Sequence, residues 1–411
     1  MDVIRHLFLH QTAVHQLSPL VFRQGEPLGE GKLAMDRLIQ KRVSTHISMD
    51  SSRGPGRGGA GGFAEDSLLR GRHFQKCRNE LNCRLETQAW RGFARSSTIF
   101  RLMEGMSRRP RYILEGGALV EVTCRTMHSR FLLRPGQATN EIVVGVLGRA
   151  QRKYPIRVCG YVLASNHLHL LLDVDDAHQL SRFMRYVNSN LARKVGRLVG
   201  WRDKIWSRRY QATVVSPEEV AQVGRFRYIL SHGVKENLVE TVEQWPGVHC
   251  AKSLLSGEPA EGYWFDQTQE YAARRRGEKF DRMRYATPEK LVLSPLPCWK
   301  HLSEEVRRQL VVEMIADIEA EAALRRQRSG SQVLGAARVR GQHPFDRPKR
   351  PKKSPAPLFL AVSKQVREEL WTAYAWFVSE FRQASEKLRS GNRLARFPAG
   401  SFPPALPFVA G

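Results

Sequence analysis

The chain has 411 residues, 42% hydrophobic and 26% charged, an ordinary balance for a globular protein of two or three structural units. Lys and Arg number 66 against 40 Asp and Glu, a formal net charge of +26 that exceeds what solubility needs and makes nucleic acid the leading partner. No apolar run approaches the roughly 20 residues of a membrane helix, and the opening MDVIRHLFLHQTAVHQL lacks the apolar stretch of a secretory signal, which points to the cytoplasm.

Residues 1–107 form an extension expected to be mostly disordered, because Ser51 to Gly62 is a Gly/Arg-rich linker flanked by weak periodicity. A natural domain start near Met103 or Met106 is a second expectation for this region. From residue 108 the patterns sharpen. Leu119 to Arg125 alternates and reads as a strand, and Asn140 to Arg152 carries apolar residues at helical spacing. Ile156 to Leu163 and His167 to Val174 read as adjacent strands joined by the short turn Ala164, Ser165, Asn166. Leu180, Phe183, Met184, Val187, Leu191, Val195 and Leu198 then mark one stripe of a helix. This order predicts an α+β fold: a ferredoxin-like antiparallel sheet with helices on one face, spanning 108–250.

Trp206 to Val215 alternates and is expected to add an edge strand or extended hairpin. Ser216, Pro217, Glu218, Glu219 has the pattern of a helix start, with Ser216 as cap and Gly233 as stop. Residues 251–411 read as a basic, mainly helical extension, with amphipathic helices over Ser303 to Gln327 and Ser363 to Leu388. A Pro/Lys/Arg-rich linker lies near 341–357. The six cysteines, Cys77, Cys83, Cys124, Cys159, Cys250 and Cys298, show no zinc-ligand spacing and imply a reduced protein.

Chemistry concentrates in SNHLHLLLDV, Ser165 to Val174. On a strand the side-chain period is two, so His167 and His169 share a face while Leu168 and Leu170 point to the core. Two such imidazoles can bind one divalent ion; they can equally be ordinary polar-face histidines. Tyr228 and His232, four residues apart on the following helix, share one face. If that face covers the sheet, His232 completes a three-ligand site and Tyr228 presents its phenol to a bound phosphate; otherwise Tyr228 is a core aromatic.

Residues from about Arg109 to Trp245 resemble the REP-associated tyrosine transposases, single-tyrosine HUH endonucleases of the IS200-like superfamily. The carrying pieces are EVTCRTMHSRFLL, CGYVLASNHLHLLL, WSRRY and RYILSHGVKENLV. The resemblance implies that His167 and His169 are metal ligands and that Tyr228 is the nucleophile. His232 stands where the family commonly has asparagine in an Asn-Pro pair, and Ala164 and Ser165 replace a frequent Met-Pro. It further implies a transesterification on single-stranded or hairpin DNA through a 5′-phosphotyrosine link, with Mg2+ or Mn2+. Arg193, Arg197, Arg208 and Arg209 would then contact phosphates, and Trp206 or Tyr210 would stack on unpaired bases. The alternative is a DNA-binding relative that recognises hairpins without cutting; an RNA-binding factor is a third reading. A monomer or a homodimer fits equally.

Overall fold

The computed structural model describes residues 110–277, 281–349 and 357–405. The expectations for residues 1–107, for Met103 and Met106, for Cys77 and Cys83, and for residues 350–356 of the basic run lie outside the described residues. In chain order the elements are β1 (Ala118–Arg125), α1 (Gln137–Lys153), β2 (Arg157–Ala164), β3 (His167–Val174), α2 (Ala177–Val199), β4 (Gln211–Val215) and α3 (Glu219–Leu230). There follow α4 (Ala251–Ser256), β5 (Ala260–Phe265), α5 (Gln267–Arg275), β6 (Ala286–Leu291), α6 (Glu304–Ser329), α7 (Ala336–Gly341), β7 (Phe359–Leu360) and α8 (Lys364–Arg389).

The main sheet runs β2-β3-β1-β4-β7, and its first four strands pair antiparallel. With α1 and α2 as crossovers this is the ferredoxin-like arrangement. Alternation decides the faces. Cys124 pairs with Leu168, and its thiol donates to Asn188 of α2 at 3.4 Å, so α2 covers the leucine face. The opposite face carries Gly160, whose bare Cα accommodates the Phe226 ring of α3. The tyrosine helix thus covers the histidine side of the sheet, opposite to α2.

Three local expectations are corrected. Only Gln211–Val215 of the 206–215 segment is a strand; Trp206 makes an isolated bridge to Thr126, and exposed Ser207, Arg208 and Arg209 form a turn. Nor is β4 an edge, because β7 joins it in parallel. Ser216 does not cap α3: its hydroxyl donates to Glu218 at 2.7 Å, and the helix begins only at Glu219. Glu218 faces elsewhere, accepting the backbone N–H groups of Val362 (2.8 Å) and Ser363 (2.9 Å) at the start of α8. Ser363 in turn caps α8 through Val366 N–H at 3.2 Å.

Beyond residue 250 the helices α6 and α8 appear where their amphipathic patterns predict, but the β5–β6 hairpin was not foreseen. Its sequences, AEGYWF and ATPEKL, are short and weakly alternating. The hairpin packs on α1, where glycines meet: a Cβ at Gly145 would overlap the Tyr263 carbonyl and lie 2.7 Å from its amide nitrogen. Backbone cannot rotate away as a side chain can. Gly145→Ala is therefore expected to lower stability by about 1–3 kcal/mol, against a helix-propensity gain of about 1 kcal/mol, as read by urea denaturation. Cys124, Cys159, Cys250 and Cys298 are free thiols. No helix among the described residues is long and apolar enough to cross a membrane.

Candidate active site

Strand β3 delivers His167 and His169 to the face beneath α3, as period-two alternation requires. Helix α3 is fixed there by buried Phe226, Ile229 and Leu230, with Phe226 packed edge-on to Trp299 at 5.6 Å. The α-helix ends at Leu230, so His232 sits in the turn that follows, its amide donating to the Ile229 carbonyl at 3.2 Å. Gly233, at φ +90°, lets the chain leave this turn; a side chain there would be strained and would also meet Trp245.

One potential ligand atom from each of His167, His169 and His232 lies within 4.8 Å of the others. Tyr228 closes the cluster, its ring centroid 5.8 Å from that of His169 and 5.0 Å from that of His232. The predicted quartet therefore converges within one chain. Each strand histidine is oriented from behind. His169 Nδ1 lies 2.7 Å from Glu121 and 3.2 Å from the Thr123 hydroxyl, and His167 Nδ1 lies 2.7 Å from Asn166 Oδ1. With Nδ1 engaged, Nε2 of each ring is the nitrogen left for a ligand.

The electrostatics suit a cation site. Burial pushes the His167 and His232 imidazoles well below the usual histidine range, and neighbouring His169, Arg125 and Lys235 add to the effect. Burial also lowers His169, although Glu121 opposes it. All three rings are therefore held neutral, the state that donates a lone pair to a metal. Burial alone would raise the Glu121 carboxyl, but Arg225 and His169 hold it at about 2. The donors are thus prepared: three neutral imidazoles, two of them aimed by hydrogen bonds, fit a divalent cation.

Around the phenol the charge is positive. Arg225, paired with Glu121, stacks its guanidinium 3.9 Å from the Tyr228 ring centroid, and Lys235 Nζ lies 3.1 Å from it. Arg125, across from His167 on β1, has its guanidinium lowered by burial; Tyr228 and Arg208 act on it in opposite senses. Such a setting suits an anionic group.

The predicted DNA contacts divide. Arg208 and Arg209 are exposed in the turn before β4, and Arg208 lies within electrostatic reach of Arg125. Arg193 and Arg197 are exposed but sit on α2, the layer opposite the histidines. Trp206 is half-buried and donates through its indole N–H to the Asn188 carbonyl at 2.9 Å. Tyr210 corrects its expectation: burial pushes its phenol up to about 12, and Arg111 covers its ring at 4.6 Å, leaving no face for a base.

Sequence reasoning missed Glu121, Arg125, Asn166, Arg225 and Lys235. The first two carried a signal. Glu121, Thr123 and Arg125 alternate with Val120, Val122 and Cys124, which marks a polar face of β1 beside the histidines. Glu121→Gln, which weakens the brace behind His169, is expected to reduce Mn2+ affinity about 10- to 100-fold, measured by titration calorimetry on folded protein.

Residues 126–232 match the family model described as IS200-like transposase. Among solved structures, the chain is similar to a REP-associated tyrosine transposase bound to a REP hairpin, with 19% identity over 37% of this chain and 86% of that one, and a TM-score of 0.31. It is also similar to a candidate transposase from Deinococcus radiodurans R1, with 15% identity over 30% of this chain and 95% of that one, and a TM-score of 0.22. No curated protein matches. The segment that matches the IS200-like transposase model opens just after β1 and closes on His232, so it contains the whole histidine–tyrosine cluster.

Proposed function

We propose that this protein is a metal-dependent endonuclease and strand transferase acting on single-stranded or hairpin DNA, with Tyr228 as nucleophile. One observation carries the reading: the Tyr228 ring lies against His169 and His232, two of three histidines whose ligand atoms fall within 4.8 Å of one another. The family match and the net charge of +26 favour DNA as the substrate.

In the proposed reaction the Tyr228 phenolic oxygen attacks phosphorus of a backbone phosphodiester. The bond to the 3′ oxygen breaks and that oxygen gains a proton, leaving a free 3′-hydroxyl and a 5′-phosphotyrosine; attack by a 3′-hydroxyl reverses the step and joins strands. Arg125, Arg225 and Lys235 orient the phosphate and stabilise its developing charge. Glu121 and Asn166 keep His169 and His167 turned for ligation. His167, His169 and His232 would hold Mg2+ or Mn2+, which when bound supplies positive charge to non-bridging phosphate oxygens. A hairpin-binding protein without cutting activity would have no need of such convergence.

The test is incubation of the full chain with labelled hairpin DNA carrying a single-stranded extension, in Mg2+. A covalent protein–DNA adduct that survives denaturation is expected. Absence of any adduct with Mg2+ and with Mn2+ would reject the reading.

A further inference from the structure

A cavity of about 690 Å3 opens where the turn after β1 meets the C-terminal extension; it is lined by His128, Arg130, Phe131, Phe345, Arg347 and Lys349, with Asp346 as its one acidic residue. One wall is the turn that follows β1, the other a segment of the C-terminal extension. The extension is laced onto the turn. Phe131 N–H donates to the Asp346 carbonyl at 2.9 Å, the Arg130 guanidinium donates to the Phe345 carbonyl, and Arg134 donates to the Arg340 carbonyl at 2.8 Å. Ser165 hydroxyl reaches Gln342 Oε1 at 2.9 Å. Phe345 packs against Trp201 at 5.3 Å, and Arg130 lies over that same indole at 5.4 Å.

The turn itself is unusual, since His128 (φ +53°) and Ser129 (φ +57°) both adopt left-handed backbone without being glycine. Conformations of this kind concentrate at binding sites, where surrounding contacts enforce them. The enforcing contact leads to the active site: Asn166 donates its side-chain N–H to the Ser129 carbonyl at 3.2 Å while its Oδ1 faces His167 Nδ1. One residue braces both the cavity and a candidate metal ligand.

Cations interleaved with aromatic rings are the chemistry that grips single-stranded nucleic acid, through phosphate pairing and base stacking. The volume lies in the range of small-ligand sites, about 300–1,000 Å3. We infer that this cavity binds a nucleotide of the unpaired DNA strand next to the phosphate attacked by Tyr228, so that the C-terminal extension supplies part of the substrate site. The inference rests on the DNA-cutting reading above for its substrate, but its test does not require cutting.

The test compares the full chain with the Arg347→Ala/Lys349→Ala double variant; both side chains are exposed and outside the catalytic cluster. Binding is read by fluorescence anisotropy in EDTA with a mixed-sequence single strand of about 16 nucleotides, a blunt hairpin and an RNA strand of equal length. The double variant is expected to bind the DNA strand roughly tenfold more weakly, with a salt slope shallower by about 1.4 for two lost phosphate contacts, and to bind the hairpin as before. Unchanged affinity and slope, an equal loss on the hairpin, or a loss confined to RNA would overturn the inference. A missing adduct in the cutting assay alongside the expected binding loss would reject the nuclease reading alone. An intact adduct with no binding loss would reject the cavity alone.

Discussion

Tyr228→Phe is expected to abolish the covalent protein–DNA adduct and to lower strand cleavage by about 10^4-fold or more, with binding of uncut DNA little changed. Phenylalanine keeps the ring that packs against His169 and His232 and that underlies Arg225 and Lys235. What disappears is the phenolic oxygen proposed to form the phosphodiester link to protein. Tyr210 is buried under Arg111, and Tyr161 and Tyr374 are core residues, whereas Tyr228 packs against the histidine cluster. The measurement is a denaturing gel of labelled DNA after incubation in Mg2+, with anisotropy as the binding control. An adduct that persisted in the variant would move the nucleophile elsewhere.

His169→Ala should be nearly as severe by a different route. It removes a proposed ligand and the partner of Glu121, leaving a buried carboxylate with Arg225 as its remaining charged neighbour. Divalent-ion binding is expected to fall at least about 100-fold, beyond the effect of losing an orienting residue alone. Adduct formation should drop to the level seen with wild-type protein in EDTA. Excess Mn2+ would restore part of it, because the two remaining imidazoles still favour that ion over Mg2+. Equal metal affinity in variant and wild type, by calorimetry, would show that the histidines do not form the cation site.

The difference between what the chain reveals and what it hides follows from range. Strand β3 was legible because His167 and His169 alternate with leucines, a pattern contained within the strand itself. The helix carrying Tyr228 was legible in position but not at its ends, since it stops at Leu230 and leaves His232 in the following turn. Ser216-Pro217-Glu218-Glu219 has the composition of a cap, yet Glu218 is drawn to Val362 and Ser363, a partner no local pattern discloses. Arg225 and Lys235 were passed over because basic residues are abundant here, and only tertiary packing sets these two against the Tyr228 ring. Tyr210 failed for the converse reason: its neighbours Arg208 and Arg209 are exposed, but strand pairing of the next residue, Gln211, turns the ring inward. The β5–β6 hairpin left little trace, since its strands are stabilised by the glycine contact with α1 more than by their own alternation.

The fastening of Glu218 bears on whether copies of the protein can trade parts. Val214 and Ser216 donate backbone bonds to Leu358 and Leu360, and Glu218 grips residues 144 and 145 positions further along. The segment leading into the helix that carries Tyr228 is therefore stitched at its root to residues 358–363 of the same polypeptide. Lending that helix to a neighbouring molecule would require unzipping a strand pair and freeing a carboxylate from two amides before any new contact formed. Self-sufficiency of each subunit is the arrangement these bonds favour.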